Sequence, residues 1–157
     1  MVKVGDKAPD FEMYDTNRKP RSLRDFIGKK TVLLFYPAAF TGVCTREMCT
    51  FRDSLARFND VDAQVVGISI DSPFSNKAFA EKYNLQFPLL SDFSKKVSVQ
   101  YGGGLVENLG GVLGYTASKR SVFVLDKEGI VRYAWISDDP GVEPKYEEIL
   151  RAVSSLN

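Results

Sequence analysis

Apolar residues along the chain gather into short runs separated by polar segments that carry glycine and proline. Thr31 to Tyr36 (TVLLFY) is continuously apolar and β-rich, the pattern of a central strand buried on both faces. Pro37 has no N–H to give to a ladder and should end that strand. Gln64 to Ile70 (QVVGISI) is a second buried-type strand. Between the two, Met48, Phe51, Leu55 and Phe58 recur at spacings of three and four, which predicts an amphipathic helix over about Val43 to Phe58. Two such strands joined by a helix must be parallel, with a right-handed crossover.

The remaining pattern extends this unit. Asp10 to Tyr14 (DFEMY) alternates as a half-buried strand does, and Asp15-Thr16-Asn17 supplies turn residues, so a small hairpin is expected near the start. Asp71-Ser72-Pro73 reads as a helix start with proline in the first turn, followed by Phe74, Ala78, Phe79 and Tyr83 on that helix. Phe87 to Leu90 is a short strand, and Lys95 to Tyr101 a short helix. Gly102 to Lys119 is glycine-rich and weakly patterned, and is expected to be a long loop. Ser121 to Asp126 and Ile130 to Ser137 read as strands joined by a turn at Lys127-Glu128-Gly129. Lys145 to Ser155 closes the chain as a helix with Tyr146, Ile149, Leu150 and Val153 on one side. The order βαβαβ, a hairpin, then a helix implies an α/β domain: a central mixed sheet with helices on both faces and an N-terminal β-hairpin.

Length and composition narrow the chemistry. The 157 residues suit one domain spanning 1–157, able to bury a core without staples. The chain has two cysteines and no histidine. Serine–histidine and cysteine–histidine catalysis are excluded, as are histidine-based zinc and iron sites. Two cysteines cannot complete a tetrahedral zinc site without carboxylates, and no metal or cofactor is expected. A net charge of +1 gives no strong pull towards nucleic acid or anionic lipid. No run approaches the roughly 20 apolar residues of a membrane span, and the charged N-terminus has no signal-peptide core. A cytoplasmic location follows as the expectation. Disulfides are rare there as structural elements, so two cysteines close in sequence point to catalysis, redox chemistry or metal binding.

The informative segment is Phe35 to Cys49 (FYPAAFTGVCTREMC). It places Cys44 in the first turn of a helix at the C-terminal end of a central strand, the edge where open α/β sheets hold their ligands. Unpaired amides and the partial positive charge of a helix N-terminus favour an anion, and the thiolate is the nucleophilic form of cysteine. No histidine is then needed to remove the proton. The Thr41 hydroxyl can donate to the sulfur or to a bound oxygen, or accept from one, and as an N-cap it would also serve the helix. A free cysteine standing alone is most often a buried small hydrophobe. The spacing Pro37-x-x-x-Thr41-x-x-Cys44 argues against that reading, in part through the family resemblance it carries.

That spacing resembles the signature of the peroxiredoxins. The resemblance extends over nearly the whole chain, through VGDKAPDFEM, GISIDSP, FPLLSD and RSVFVLDKEGIVRYAW. It implies a thioredoxin-like fold and a thiol-dependent peroxidase for hydrogen peroxide and organic hydroperoxides. Cys44 would be the peroxidatic cysteine that becomes a sulfenic acid. It also implies that Arg120 completes the site, that Thr41 and the amides near Val43 and Cys44 orient the peroxide, and that Pro37 shields it. Without the resemblance Arg120 is a solvated strand-edge charge. Glu47 matches a position that is often Glu or Gln in the family, which makes it a candidate substrate-binding residue. Complementing the helix dipole is the alternative. A homodimer is implied by the family alone.

Cys49 has the spacing of the resolving cysteine in Q-type peroxiredoxins (bacterioferritin comigratory proteins), while AFTGVCTRE also resembles the E-type and one-cysteine enzymes. On an intact helix the two Cα atoms lie about 8 to 9 Å apart. A disulfide needs them within about 7 Å. A Cys44–Cys49 bond would therefore require the first turns to unwind, and a thioredoxin-like dithiol would then reduce it. The alternatives are core packing for Cys49 and reduction of a one-cysteine enzyme by a small external thiol.

Two other functions share such a fold. A general dithiol oxidoreductase would carry Cys-x-x-Cys, which is absent. A non-enzymatic redox chaperone or binding module would not depend on Cys44. The segment GGGLVENLGGVLGY lacks the strand-before-helix context of a phosphate cradle, and Asp138, Asp139 and Glu143 read as a solvated loop. Trp135 is expected in the core or at an interface.

Overall fold

Lys30–Phe35 (β3) is buried at every position, and its side chains divide between two apolar layers. Val32 and Leu34 point to one side of the sheet, Leu33 and Phe35 to the other. The computed structural model describes residues 1–156. Within it, β3 is an inner strand of a seven-stranded mixed sheet. Glu12–Tyr14 (β1) and Pro20–Ser22 (β2) form the N-terminal hairpin, closed by Asp15, whose Oδ1 accepts from the amides of Asn17 and Lys19. Gly42–Asp60 (α1) crosses from β3 to Ala63–Ser69 (β4), and β3 and β4 pair in parallel from Lys30↔Ala63 to Phe35↔Ile68. Pro73–Tyr83 (α2) leads on to Leu89–Ser91 (β5), also parallel to β4. Lys96–Gly102 (α3) follows. Leu105–Val106 (β6) and Ala117–Ser118 (β7) form a separate small pair. Ser121–Leu125 (β8) joins the main sheet antiparallel to β3, Val131–Ile136 (β9) pairs antiparallel with β8 at the sheet edge, and Tyr146–Ser154 (α4) is the last element. The strand order is β2-β1-β5-β4-β3-β8-β9.

Alternation along the central strands assigns each helix to a layer. Val32, Leu34, Val65, Val122 and Val124 meet Met48, Phe51 and Phe58 of α1, Phe79 of α2, and Ile149 and Val153 of α4. Leu33, Phe35, Val66, Ile68, Phe123 and Leu125 meet Val97 and Tyr101 of α3 together with Phe11, Met13, Leu23 and Phe26. A one-residue slip of register would exchange these sets, so the pattern fixes the pairing. Each large apolar side chain buried from α1 stabilises the fold by about 1.5–3 kcal/mol, and the stripe Met48–Phe51–Phe58 thereby fixes the rotation of that helix on the sheet. Gly67 in β4 allows the closest approach: a Cβ there would sit 2.6 Å from Leu89 Cδ2 and 3.2 Å from the Tyr36 ring.

The mixed sheet, helices on both faces and the parallel first crossover agree with the expectation from pattern. The segment 102–119 does not. It holds β6, a short 3-10 turn at Leu109–Gly111 and β7, rather than an unstructured loop. Strands two residues long cannot show a period, and the pairing Leu105↔Ser118 spans too many residues to be legible locally. Lys95 adds a tether, donating to Thr116 Oγ1 at 2.6 Å.

Candidate active site

The site begins where β3 stops. The Tyr36 amide still reaches Ile68 O at 2.9 Å, but Pro37, buried, cannot continue the ladder. Within four residues the chain must turn from strand to helix. Phe40 makes the turn at φ 68°, a left-handed conformation that costs a non-glycine residue roughly 1–2 kcal/mol. Its ring packs on Phe79 at 5.1 Å and faces Tyr83 at 6.4 Å.

A polar network holds the same loop from below. The Ala39 amide donates to Asp71 Oδ2 at 2.8 Å, and that oxygen also accepts from Ser69 Oγ at 2.7 Å. The Tyr36 hydroxyl donates to Asn76 Oδ1 at 2.7 Å, and Asn76 Nδ2 donates to Ser91 Oγ at 3.1 Å. Burial pushes the Tyr36 phenol well above its ordinary value, with Asp71, Cys44 and Glu47 adding to the rise against the opposing Ser69 hydrogen bond. It therefore stays a donor. None of Asp71, Ser69 and Asn76 carried a sequence signal for this role; the only hint was that GISIDSP runs from the end of a buried strand into a helix start.

Thr41 occupies the N-cap position of α1 with extended backbone, φ −78° and ψ 154°, yet its side chain does not cap the helix. The hydroxyl donates to Ala38 O at 2.8 Å. With its proton committed, an exposed Oγ1 has lone pairs left to accept from an arriving O–H. The first intrahelical bond at this end is Thr45 N–H to Thr41 O at 2.9 Å, so the amides of Val43 and Cys44 precede the ladder. Val43 is half-buried.

Cys44 is 1% exposed and belongs to the apolar layer under α1, as the bland reading required, but it also has a cationic partner. Arg120, just before β8, is 1% exposed rather than a solvated edge charge. Its Nη2 lies 3.2 Å from Cys44 Sγ and 2.7 Å from Pro140 O. Its Nε donates to Pro140 O at 3.2 Å, and its Nη1 to Glu47 Oε1 at 2.7 Å. Burial opposes the guanidinium charge, but Glu47 and Cys44 hold it.

Glu47 lies beyond the first turn of α1, so it does not complement the dipole there as the alternative reading expected, and it is fully buried. It faces Arg120. Burial raises its carboxyl to about 7, against the pull of Arg120 and with help from Glu143. Cys49 is half-buried on the same unbroken helix, and both cysteines are free. Tyr115 lies in electrostatic reach of the site: partial burial, Asp71 and Cys44 push its phenol up.

A sulfur at a helix start, a buried guanidinium on that sulfur and a hydroxyl presenting lone pairs are an arrangement suited to a nucleophilic thiolate. In comparison with known proteins, residues 4–134 match the AhpC/TSA family. The chain belongs to that family, the peroxiredoxins. The chloroplastic peroxiredoxin Q of Populus jackii is 41% identical over 155 residues, covering 99% of this chain and 70% of that protein. A putative peroxiredoxin bcp of Coxiella burnetii is 40% identical over 134 residues, covering 85% of this chain and 88% of that one. The crystal structure of peroxidoxin BcpB from Mycobacterium tuberculosis matches 100% of this chain and 99% of its own, with a TM-score of 0.84 and 34% identity. This peroxiredoxin has the thioredoxin-like fold and is a thiol-dependent peroxidase: it takes a peroxide substrate and is recycled by a thiol reductant. No helix among the described residues is long and apolar enough to cross a membrane.

Proposed function

We propose that Cys44 is the peroxidatic cysteine and that Thr41, Arg120, Pro37 and the Val43 and Cys44 amides complete its site, on one domain spanning 1–157. The observation that carries this reading is the 3.2 Å contact between Arg120 Nη2 and Cys44 Sγ at the first turn of α1. The Cys44 thiolate attacks one peroxide oxygen as the O–O bond breaks. A sulfenic acid remains, and the departing oxygen takes a proton to leave as water or an alcohol. Thr41 Oγ1 accepts from the peroxide O–H, and the guanidinium and first-turn amides meet the charge that spreads onto the oxygens. Val43 contributes its amide.

Cys49 resolves the sulfenic acid in this reading. Its thiolate attacks the Cys44 sulfur as the S–O bond breaks, forming a disulfide, and the departing hydroxide takes a proton to leave as water. On unbroken α1 the two residues are held too far apart, so the first turns must unwind. A thioredoxin-like dithiol then reduces the bond. The Q and bcp names of relatives around 40% identical support this, and a small external thiol is the alternative reductant. A reducing, cytoplasmic setting suits two free cysteines. A homodimer is supported by the exposed apolar side chains of Phe40, in the turn before α1, and of Leu113 and Tyr115, in the segment 102–119, and sedimentation equilibrium tests it.

Peroxide consumption with dithiothreitol, and with thioredoxin and its reductase, tests the assignment. Cys44→Ser should be inactive. Cys49→Ser should make one oxidising turnover and then stop cycling through thioredoxin. Wild-type rates from Cys44→Ser would overturn the role of Cys44. After peroxide treatment, mass spectrometry should find a Cys44–Cys49 disulfide; a persistent sulfenic or sulfinic acid on Cys44 without that disulfide would overturn the role of Cys49.

A further inference from the structure

Arg120 is one cation between two groups that can each be an anion. Its Nη1 meets Glu47 Oε1 at 2.7 Å and its Nη2 meets Cys44 Sγ at 3.2 Å. All three side chains are buried. The ion pair to Glu47 is incomplete: Oε2 is buried and has no hydrogen-bond partner. A buried carboxylate oxygen without a donor is costly, more so than a neutral hydroxyl in the same place. A neutral Glu47 carries its proton on Oε2 and leaves Oε1 to accept from Nη1, so the arginine needs no movement between the two forms. Pro140 O anchors the guanidinium in either case, through Nη2 at 2.7 Å and Nε at 3.2 Å.

We propose that Glu47 is a positioning residue whose protonation state sets how much of the Arg120 charge is available to the Cys44 thiolate and the bound peroxide. When Glu47 is neutral, the guanidinium faces the sulfur and the departing oxygen with its charge unshared. When Glu47 is ionised, a second anion competes for the same cation, and the transition state, which spreads negative charge onto oxygen, is less stabilised. Glu47 touches neither sulfur nor peroxide; it acts through Arg120. The inference rests on the roles proposed for Cys44 and Arg120.

The surroundings place the change of state near neutral pH. Burial raises the Glu47 carboxyl, Arg120 lowers it, and Glu143 raises it. Glu143, ahead of α4, is itself engaged: its Oε1 accepts from the Tyr146 hydroxyl at 2.6 Å and its Oε2 lies 3.5 Å from Arg46 Nε. Tyr146 on α4 and Tyr36 at the end of β3 both feel Glu47, and burial is the largest cause that holds both phenols neutral. Cys44, one turn earlier on α1, is the remaining titratable neighbour.

The test is the rate constant for Cys44 oxidation by hydrogen peroxide, followed by stopped flow across about pH 5.5 to 9 and divided by the thiolate fraction read from ultraviolet absorbance. Per thiolate, the wild type should lose on the order of tenfold as pH rises through about 7: the negative charge is already on the thiolate before reaction, so only the part that shifts onto oxygen in the transition state feels the added anion differently, which is far less than a full charge at a few ångströms. Glu47→Gln keeps an acceptor for Nη1 but cannot ionise, and should hold the low-pH rate throughout. A flat wild-type profile, or a Glu47→Gln profile that falls in parallel, would overturn the proposal. The infrared C=O stretch of the wild type gives a check that needs no variant. A buried carboxyl should lose its proton near neutrality, well above the surface carboxylates. If every carboxyl is ionised by about pH 6, the proposal fails. If wild-type Cys44 is not oxidised by peroxide at all, the catalytic assignment falls and this inference with it, an outcome distinct from a flat profile on a reacting cysteine.

Discussion

Arg120→Ala removes four hydrogen bonds at once: to Cys44 Sγ at 3.2 Å, to Glu47 Oε1 at 2.7 Å, and to Pro140 O at 2.7 and 3.2 Å. Only the first acts directly on the reacting sulfur. A hydrogen bond to a charged group contributes roughly 1.5–3 kcal/mol, which converts to a loss of about 10- to 150-fold in the rate of Cys44 oxidation. Stability follows a different course. Breaking a buried ion pair costs about 3–5 kcal/mol if the survivor keeps its charge. Glu47 does not have to keep it, because its carboxyl already stands at about 7 with the arginine present and rises further without it. The variant should therefore be destabilised less at about pH 6 than at about pH 8.5, where retaining the carboxyl proton in the fold costs more. Stopped-flow peroxide kinetics and urea unfolding at both pH values measure the two effects separately. A variant within about twofold of the wild-type rate at the same thiolate fraction would refute the geometric argument, since a gap of that size is less than any charge-assisted bond should leave.

Thr41→Val should lose about 10- to 100-fold in peroxide turnover, because the Ala38 tether and the outward lone pairs disappear together; Thr41→Ser should retain most of the rate, as steady-state assays would show. Asp71→Ala leaves the Ala39 amide and Ser69 hydroxyl without their shared acceptor, and should cost about 1–3 kcal/mol in urea unfolding and slow Cys44 oxidation through a looser loop. Glu47 should make stability depend on pH. Its folded value lies above the ordinary 4.5, so the stability it allows is fully present below about 4.5 and is lost as pH rises to about 7. Relative to Glu47→Gln, the wild type should lose on the order of 3 kcal/mol across that window, measured by denaturant titration at each pH.

Pattern sufficed for the layers. β3 and β4 carry apolar stretches with no polar alternation, VLLF in one and VVGI in the other, because both faces of a parallel strand are covered, and that is readable without a structure. The stripe on α1 and the proline start of α2 are equally local, since 3.6-residue periodicity and a missing N–H act within a turn. The β6–β7 pair was illegible for the opposite reason: its partners stand far apart in sequence, and each strand is too short to show a period.

The candidate site divides along the same line. The spacing of Pro37, Thr41 and Cys44 puts a thiol at the start of a helix at a sheet edge, because strand end, turn and helix start lie within one short stretch of chain. That stretch alone could not say what the thiol meets. Whether Arg120 is a solvated edge charge or a buried cation depends on β8 lying antiparallel beside β3, which brings residues 76 positions apart to 3.2 Å. The same placement turned Glu47 inward and left its Oε2 alone. It also gave the loop its floor through Asp71, Asn76 and Ser91, supplied from β4 to β5. The sequence by itself determined which thiol stands at the start of a helix at the sheet edge, because local geometry is encoded in neighbouring residues. The tertiary structure alone decided the charges around that thiol, because electrostatic environment depends on distance in space and on exclusion of water, neither of which is a property of sequence separation.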